Sequence, residues 1–247
     1  MEIDHVYVLN LERAKERKDH SIKILEEQGL EERKDFTILK GVDGENIPKE
    51  EAKRINKIRM KYYDKNNINT RPLTRGQLGC VMSHMLAYEN MIEKNQKLCL
   101  ILEDDSKFIK PYNEIIETLQ RFPCGYNFDY MLLHRKCPNL CLKAKTWPFV
   151  KNWFKTYNND APLGSSTEFV KAGLSYGTNS QLVTLKGAKK MLDWCQTIYD
   201  PMDIQIHLLN SHTNIFNPEK HESLKMYSTV EPLMQPSGFT SLTQRIR

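Results

Sequence analysis

Glu103, Asp104 and Asp105 are three consecutive carboxylates that follow directly on an unbroken apolar run, Leu98–Leu102. Holding three like charges so close together is costly unless something positive binds them. A hard divalent cation such as Mg2+ or Mn2+ would do so through oxygen ligands and could bridge to the phosphates of a substrate. The same residues also read as an acidic turn facing solvent, or as a cap on the next helix, and the segment alone leaves these readings open. Elsewhere, Arg13 and Arg17 lie just past the first apolar run, where a phosphate could reach them. Ser83 and His84 sit beside an apolar stripe, and Asp203 lies four residues before His207. Each has a plainer reading as well: solvent-facing arginines, a core-edge histidine bonded to backbone, and an acid favoured in the first turn of a helix.

The elements that would position these residues follow from periodicity. Five apolar residues in a row read as a strand buried on both faces, the usual state in a parallel sheet covered by helices. Ligands of open α/β sheets gather at the carboxyl ends of such strands. Val6–Leu9 is a second candidate strand ending at Asn10, followed by a basic helix from about Glu12 to Gln28, with Gly29 placed to end it. Phe36–Leu39 is the next strand, closed by the turn sequence Gly41-Val42-Asp43-Gly44. Pro48 opens a polar helix whose continuation, Lys53 to Asn69, reads as a mobile flap.

Thr74 and Gln77 fit a capping box ahead of a helix with Leu78, Val81, Met82, Met85 and Ile92 at helical spacing. After the acids, a helix beginning at Pro111, a strand at Asp129–Leu133, a strand at Gln181–Leu185 and a helix from Gly187 follow. Asp200-Pro201-Met202-Asp203 reads as a helix start. The stretch from His134 to Glu168 breaks the pattern, with prolines and aromatics among lysines that suit either a sugar face or loop packing. The tail from Pro218 shows little periodicity. Alternating strand and helix, with no repeat or linker, imply one α/β domain over residues 1–247.

Composition narrows the class further. The chain is 40% hydrophobic and 27% charged, so a substantial core is available. No stretch has the roughly 18 apolar residues of a membrane span. The amino terminus lacks a basic region followed by an apolar one, so a cytoplasmic location is expected, with peripheral membrane contact open. The six cysteines are scattered; Cys137 and Cys141 have no Cys/His pair nearby to complete a zinc site, in keeping with a reducing compartment. The net charge of +5 is modest, and the basic patch Lys49–Lys65 lacks interleaved aromatics, which argues against nucleic acid.

Several separated segments, in order, carry a resemblance. They are Val6–Leu11 with Arg13 and Arg17, Gly41–Gly44, Leu73–His84, Leu100–Asp105, Gly177-Thr178, Lys186–Lys190, Pro201–Asp203 and Pro232–Ser237. Together the set resembles glycosyltransferase family 25, which includes bacterial lipooligosaccharide and collagen galactosyltransferases. The resemblance implies the GT-A fold, a mixed, mainly parallel sheet with helices on both faces. It also implies an inverting transfer of a hexose, galactose or glucose, from a UDP-sugar to a hydroxyl of a glycan, glycolipid or glycoprotein acceptor, with Mn2+ or Mg2+ as cofactor.

On that resemblance Asp105 is the metal ligand, with Glu103 as the alternate and Asp104 on the ribose or a metal-bound water. Asn10 and Asp43 contact the nucleoside, Arg13 lies on the donor side, and Ser83 and His84 lie near the nucleotide or diphosphate. Asp203 is the candidate general base, and no late histidine is selected for the metal. Two other classes fit the same residues: a non-catalytic sugar-nucleotide-binding module of the same fold, and a metal-dependent phosphoesterase.

Overall fold

The structure, a computed structural model, describes residues 1–65, 71–134, 161–173, 177–196, 201–208 and 222–239. The chain opens with β1 (His5–Asn10), α1 (Lys15–Glu26) and β2 (Phe36–Lys40). A short 3-10 turn (Gly44–Asn46) leads into α2 (Lys49–Lys65) and α3 (Arg75–Glu93). Next come β3 (Leu98–Glu103), β4 (Ser106–Phe108), α4 (Tyr112–Gln120) and β5 (Tyr130–Leu132). The remainder is β6 (Ala161–Pro162), β7 (Phe169–Lys171), β8 (Ser180–Thr184), α5 (Leu185–Cys195), α6 (Met202–Leu208), β9 (Met226–Thr229) and β10 (Met234–Pro236).

Among the described residues, eight strands form one sheet in the order β2-β1-β3-β8-β5-β9-β7-β6, and β10 pairs with β4 beside it. The sheet is mixed and mainly parallel in strand direction. β2, β1, β3, β5, β9 and β6 run one way, while β8 and β7 run the other.

Side chains alternate across this sheet, and the two faces bury separate cores. Tyr7, Leu9, Cys99, Ile101 and Val183 pack under α3 and α5, with Val81, Tyr88, Met91, Ala188 and Met191. Val6, Val8, Leu98, Leu100, Leu102 and Leu182 pack on the opposite face, against Leu25 of α1 and Ile115 and Leu119 of α4. This two-sided burial is why β1 and β3 read as continuous apolar runs.

Local signals account for the helix ends. Gly29 takes φ +80°, and its amide bonds Glu26 O while that of Leu30 bonds Leu25 O, closing α1 in a left-handed cap. Thr74 and Gln77 form the expected capping box. The stretch read as a flap is helical as far as Lys65, and Ile55 and Arg59 are buried there; the Arg59 guanidinium donates to Arg71 O at 2.7 Å. The tail holds β9 and β10, and β4 follows the acids; strands this short carry too few residues for a period to register. Cys80, Cys99, Cys124 and Cys195 are free thiols. The aromatic stretch from 135 to 160, Cys137, Cys141, His212 and His221 lie outside the described residues.

A tight seam joins α3 to the loop after β2. A Cβ on Gly79 would fall on the Val42 carbonyl oxygen and 2.9 Å from Gly44 N, backbone atoms that cannot swing aside. Gly79→Ala should therefore cost about 2–3 kcal/mol by overpacking. At Gly29 space is open but φ is left-handed, so Gly29→Ala should cost only ~1–2 kcal/mol. Urea unfolding midpoints of the two variants test the order.

Candidate functional site

The candidate site forms where β1 and β3 end and the antiparallel β8 begins. Because β8 is inverted, Leu102 pairs with Ser180 and Ile101 with Gln181. The residues leading into β8 therefore meet the acids leaving β3: Glu103 N donates to Asn179 O at 2.9 Å. The pleat then separates the acids. Glu103 turns to the α3 face, and Asp104 to the α1 face.

Asp104 is almost fully buried and internally satisfied. Arg17 Nη1 donates to its Oδ1 at 2.6 Å, and Asn10 Nδ2 donates to its Oδ2 at 2.8 Å. Burial pushes the Asp104 carboxyl up, and Arg17 and Asn10 offset part of that. Asn10 also donates to Ala14 O at 3.1 Å, so its amide ties the end of β1 to the entry of α1. Phe239 lies over the Arg17 guanidinium at 5.2 Å, closing this pair from above.

Glu103 is held from the other side. Thr178 Oγ1 donates to Glu103 Oε1, and His84 Nε2 lies 3.5 Å from the same oxygen. Burial alone would raise the Glu103 carboxyl, but the His84 and Thr178 contacts outweigh it and hold it below the usual range. Asp105 differs: among the described residues its buried Oδ1 has no hydrogen-bond partner, and burial plus the Glu103 charge push its carboxyl up to about 6.

Cys80 lies beside Glu103 and His84. Burial first, then the charges of Glu103, Asp203 and Asp105, push its thiol well above its ordinary value. Asp203, in the first turn of α6, accepts on its Oδ2 from Gly177 N at 3.4 Å, one residue before Thr178.

Of the residues read from sequence, Glu103 and His84 come together beside Cys80, and Asp203 reaches the same region through Gly177 N, one residue before the Thr178 that bonds Glu103. Asn10 and Asp104 bind each other. Arg13 and Asp43 pair elsewhere on this edge, where Asp43 also caps the 3-10 turn through Glu45 N at 3.0 Å. These two help line a cavity of about 310 Å³ with Glu12, Lys40, Gly41, Glu45 and Asn46. Burial would raise the Asp43 carboxyl, but Arg13 and the Glu45 amide hold it below the usual range. Ser83 is enclosed, accepting from Val42 N at 2.8 Å and donating to Gly79 O at 2.7 Å, so it pins the loop to α3.

Cys80, Thr178 and Gln181 were not singled out from sequence for a role in the site. For Gln181 a signal was there, an uncharged polar residue heading the apolar run Leu182-Val183.

The donor set suits a divalent cation. Asp105 offers an orphaned buried oxygen, and Glu103 contributes further negative charge beside it. Among the described residues, ligand atoms of Cys80, His84 and Glu103 also lie within 4.8 Å of one another.

Comparison with known proteins adds a family. The family described as Glycosyltransferase family 25 (LPS biosynthesis protein) matches residues 3–206. A "Glycosyltransferase 25 family member" of Aedes aegypti is 30% identical over 248 residues, which is 97% of this chain and 37% of that protein. "Procollagen galactosyltransferase 2" of Homo sapiens is 27% identical over 97% of this chain and 36% of that protein. The chain thus spans little more than a third of the length of these relatives. Among solved structures, mouse xyloside xylosyltransferase 1 in its apo form superimposes with a TM-score of 0.38 at 11% identity, over 83% of this chain and 74% of that one. So slight a likeness carries no argument. No described helix is long and apolar enough to cross a membrane.

The Asp105 geometry sets a stability test in chelator. Its folded pKa, about 6, lies above the unfolded value of about 4. Stability from this group is therefore complete below about pH 4 and is lost as pH rises through about 6. Asp105→Asn should melt several degrees above the native chain at pH 7.5, with the gap closing toward pH 4. A variant that melts lower at pH 7.5 would mean the carboxylate is already bonded.

Proposed function

The chain belongs to glycosyltransferase family 25, and from that premise we propose that it transfers a hexose from a UDP-sugar to an acceptor hydroxyl with inversion. The observation that carries the reading is the orphaned buried oxygen of Asp105 at the carboxyl end of β3, beside Glu103. Mn2+ or Mg2+ would be held by Asp105 with Glu103, and when bound would supply positive charge for a departing diphosphate. Galactose is the hexose we favour, because the human relative is a procollagen galactosyltransferase by name. A glycan, glycolipid or glycoprotein would supply the hydroxyl. We assign the whole reaction to one domain.

In this reading the chain's own residues divide the work. Asp203 takes the proton of the acceptor hydroxyl as its oxygen bonds to the anomeric carbon. On the opposite face the bond from that carbon to the diphosphate oxygen breaks, and UDP leaves with the electron pair. The cavity lined by Arg13 and Asp43 receives the nucleoside. Asn10 and Asp104 serve indirectly, because their side chains are spent on each other and on Arg17 and Ala14. Ser83 likewise shapes the loop and leaves the nucleotide to the backbone it holds.

Titration calorimetry with UDP separates the roles. Binding should require Mn2+, and Asp105→Ala should weaken it at least tenfold; equal affinity of variant and native chain would overturn the cation assignment. Asp203→Asn should bind UDP as the native chain does while turnover, followed by mass spectrometry over a donor-by-acceptor array, falls about 10²–10⁴-fold. An unchanged kcat would remove Asp203 as the base.

A further inference from the structure

Gln181 is fully buried in β8, on the face that packs under α3. Its Nε2 lies 3.0 Å from Thr178 O and 3.0 Å from His84 Nδ1. A backbone carbonyl can only accept, so the Gln181 atom facing Thr178 must be the NH2 group, which settles the orientation of the amide. One of its hydrogens goes to Thr178 O and the other to His84 Nδ1. Nδ1 is therefore an acceptor, and in the neutral ring the proton must sit on Nε2. That N–H is buried, has no hydrogen-bond partner as it stands, and faces Glu103 Oε1 at 3.5 Å.

We infer that Gln181 sets the tautomer of His84, so that His84 serves as an N–H donor to Glu103 and is barred from ligating a cation. The two residues are then positioning residues that act through Glu103, and the inference rests on the reading of Glu103 as part of the donor site. Thr178 Oγ1 and His84 Nε2 both converge on Oε1, which leaves Oε2 as the oxygen available to a cation or to the donor.

The 3.5 Å separation is long for a hydrogen bond, so the contact orients Glu103 electrostatically and can tighten when the site is loaded. The tautomer also decides the fate of the Cys80, His84 and Glu103 atoms that lie within 4.8 Å of one another. With the proton on Nε2, His84 presents no lone pair toward Glu103, so this cluster lacks the nitrogen ligand that borderline ions prefer. The oxygen-seeking cation is left to Asp105 and the free oxygen of Glu103.

The tautomer can be read directly in the metal-free protein. Long-range proton–nitrogen correlation spectra of isotope-labelled histidines should show the His84 ring, assigned by its loss in His84→Gln, with the proton on Nε2. Gln181→Met should lose that single tautomer. A native ring with the proton on Nδ1 overturns the proposal.

Two further measurements stand apart from folding of any one variant. In UDP titrations with Mn2+, His84→Leu should bind at least ~10-fold more weakly, the range for losing a group that orients a metal ligand. His84→Gln, whose amide can still donate, should recover most of that loss. Native affinity in His84→Leu, or no recovery in His84→Gln, counts against the donor role. Native protein loaded with Co2+ should show no thiolate-to-cobalt charge-transfer band; a band abolished by Cys80→Ser would mean the cluster is a metal cage. UDP binding by the native chain that ignores Mn2+ would defeat the cation reading instead, and the tautomer spectra would still judge His84 by themselves.

Discussion

Three adjacent carboxylates at the end of one buried strand impose the constraint around which this edge of the sheet is arranged. Water cannot screen them well there, so each must find its own compensation. The pleat of β3 makes this feasible by sending successive side chains to opposite faces. Asp104 goes to α1, where Arg17 and Asn10 take both of its oxygens. Glu103 goes to α3, where Thr178 and His84 share one oxygen. Asp105 is left over, with a buried oxygen unanswered and a carboxyl pushed up to about 6. A buried acid left uncompensated in this way costs stability when it is ionised.

The surrounding elements serve that partition. α1 reaches β1 through the Asn10 amide and carries Arg17 to Asp104. α3 sits close enough to the loop after β2 that only glycine fits at Gly79, and Ser83 then locks the loop backbone. The same helix, one residue on, delivers His84 to Glu103. The segment after β10 closes over the acids: Ser237 N donates to Asp105 O, and Phe239 covers Arg17. Helices on both faces are thus fastened to a single row of acids through different partners, and the dense burial of β1 and β3 keeps that row in register.

Residues close in sequence carry different tasks here. Ser83 and His84 are neighbours, yet one shapes a loop and the other faces an acid, because a helix turns about 100° per residue. Arg13 and Arg17 share a helix entry, yet Arg13 pairs with Asp43 at a cavity mouth while Arg17 is buried on Asp104. Such divisions set which residues can touch a ligand and which can only hold those that do.

The sequence by itself determined the strands β1, β2, β3, β5 and β8, the capping box at Thr74, the end of α1 at Gly29 and the acidic edge. These features are local: apolar runs, glycine conformation and side-chain caps need no distant partner to be recognised. It also carried the ordered motifs that mark the family. Only the tertiary structure decided that β8 runs against β3, which brings Thr178 and Gln181 to Glu103, since periodicity is blind to strand direction. Only it separated Asp104, neutralised by Arg17, from Asp105, whose buried Oδ1 has no hydrogen-bond partner among the described residues, because compensation comes from residues nearly ninety positions away. Three identical charges in a row become different groups once the fold assigns each its own surroundings.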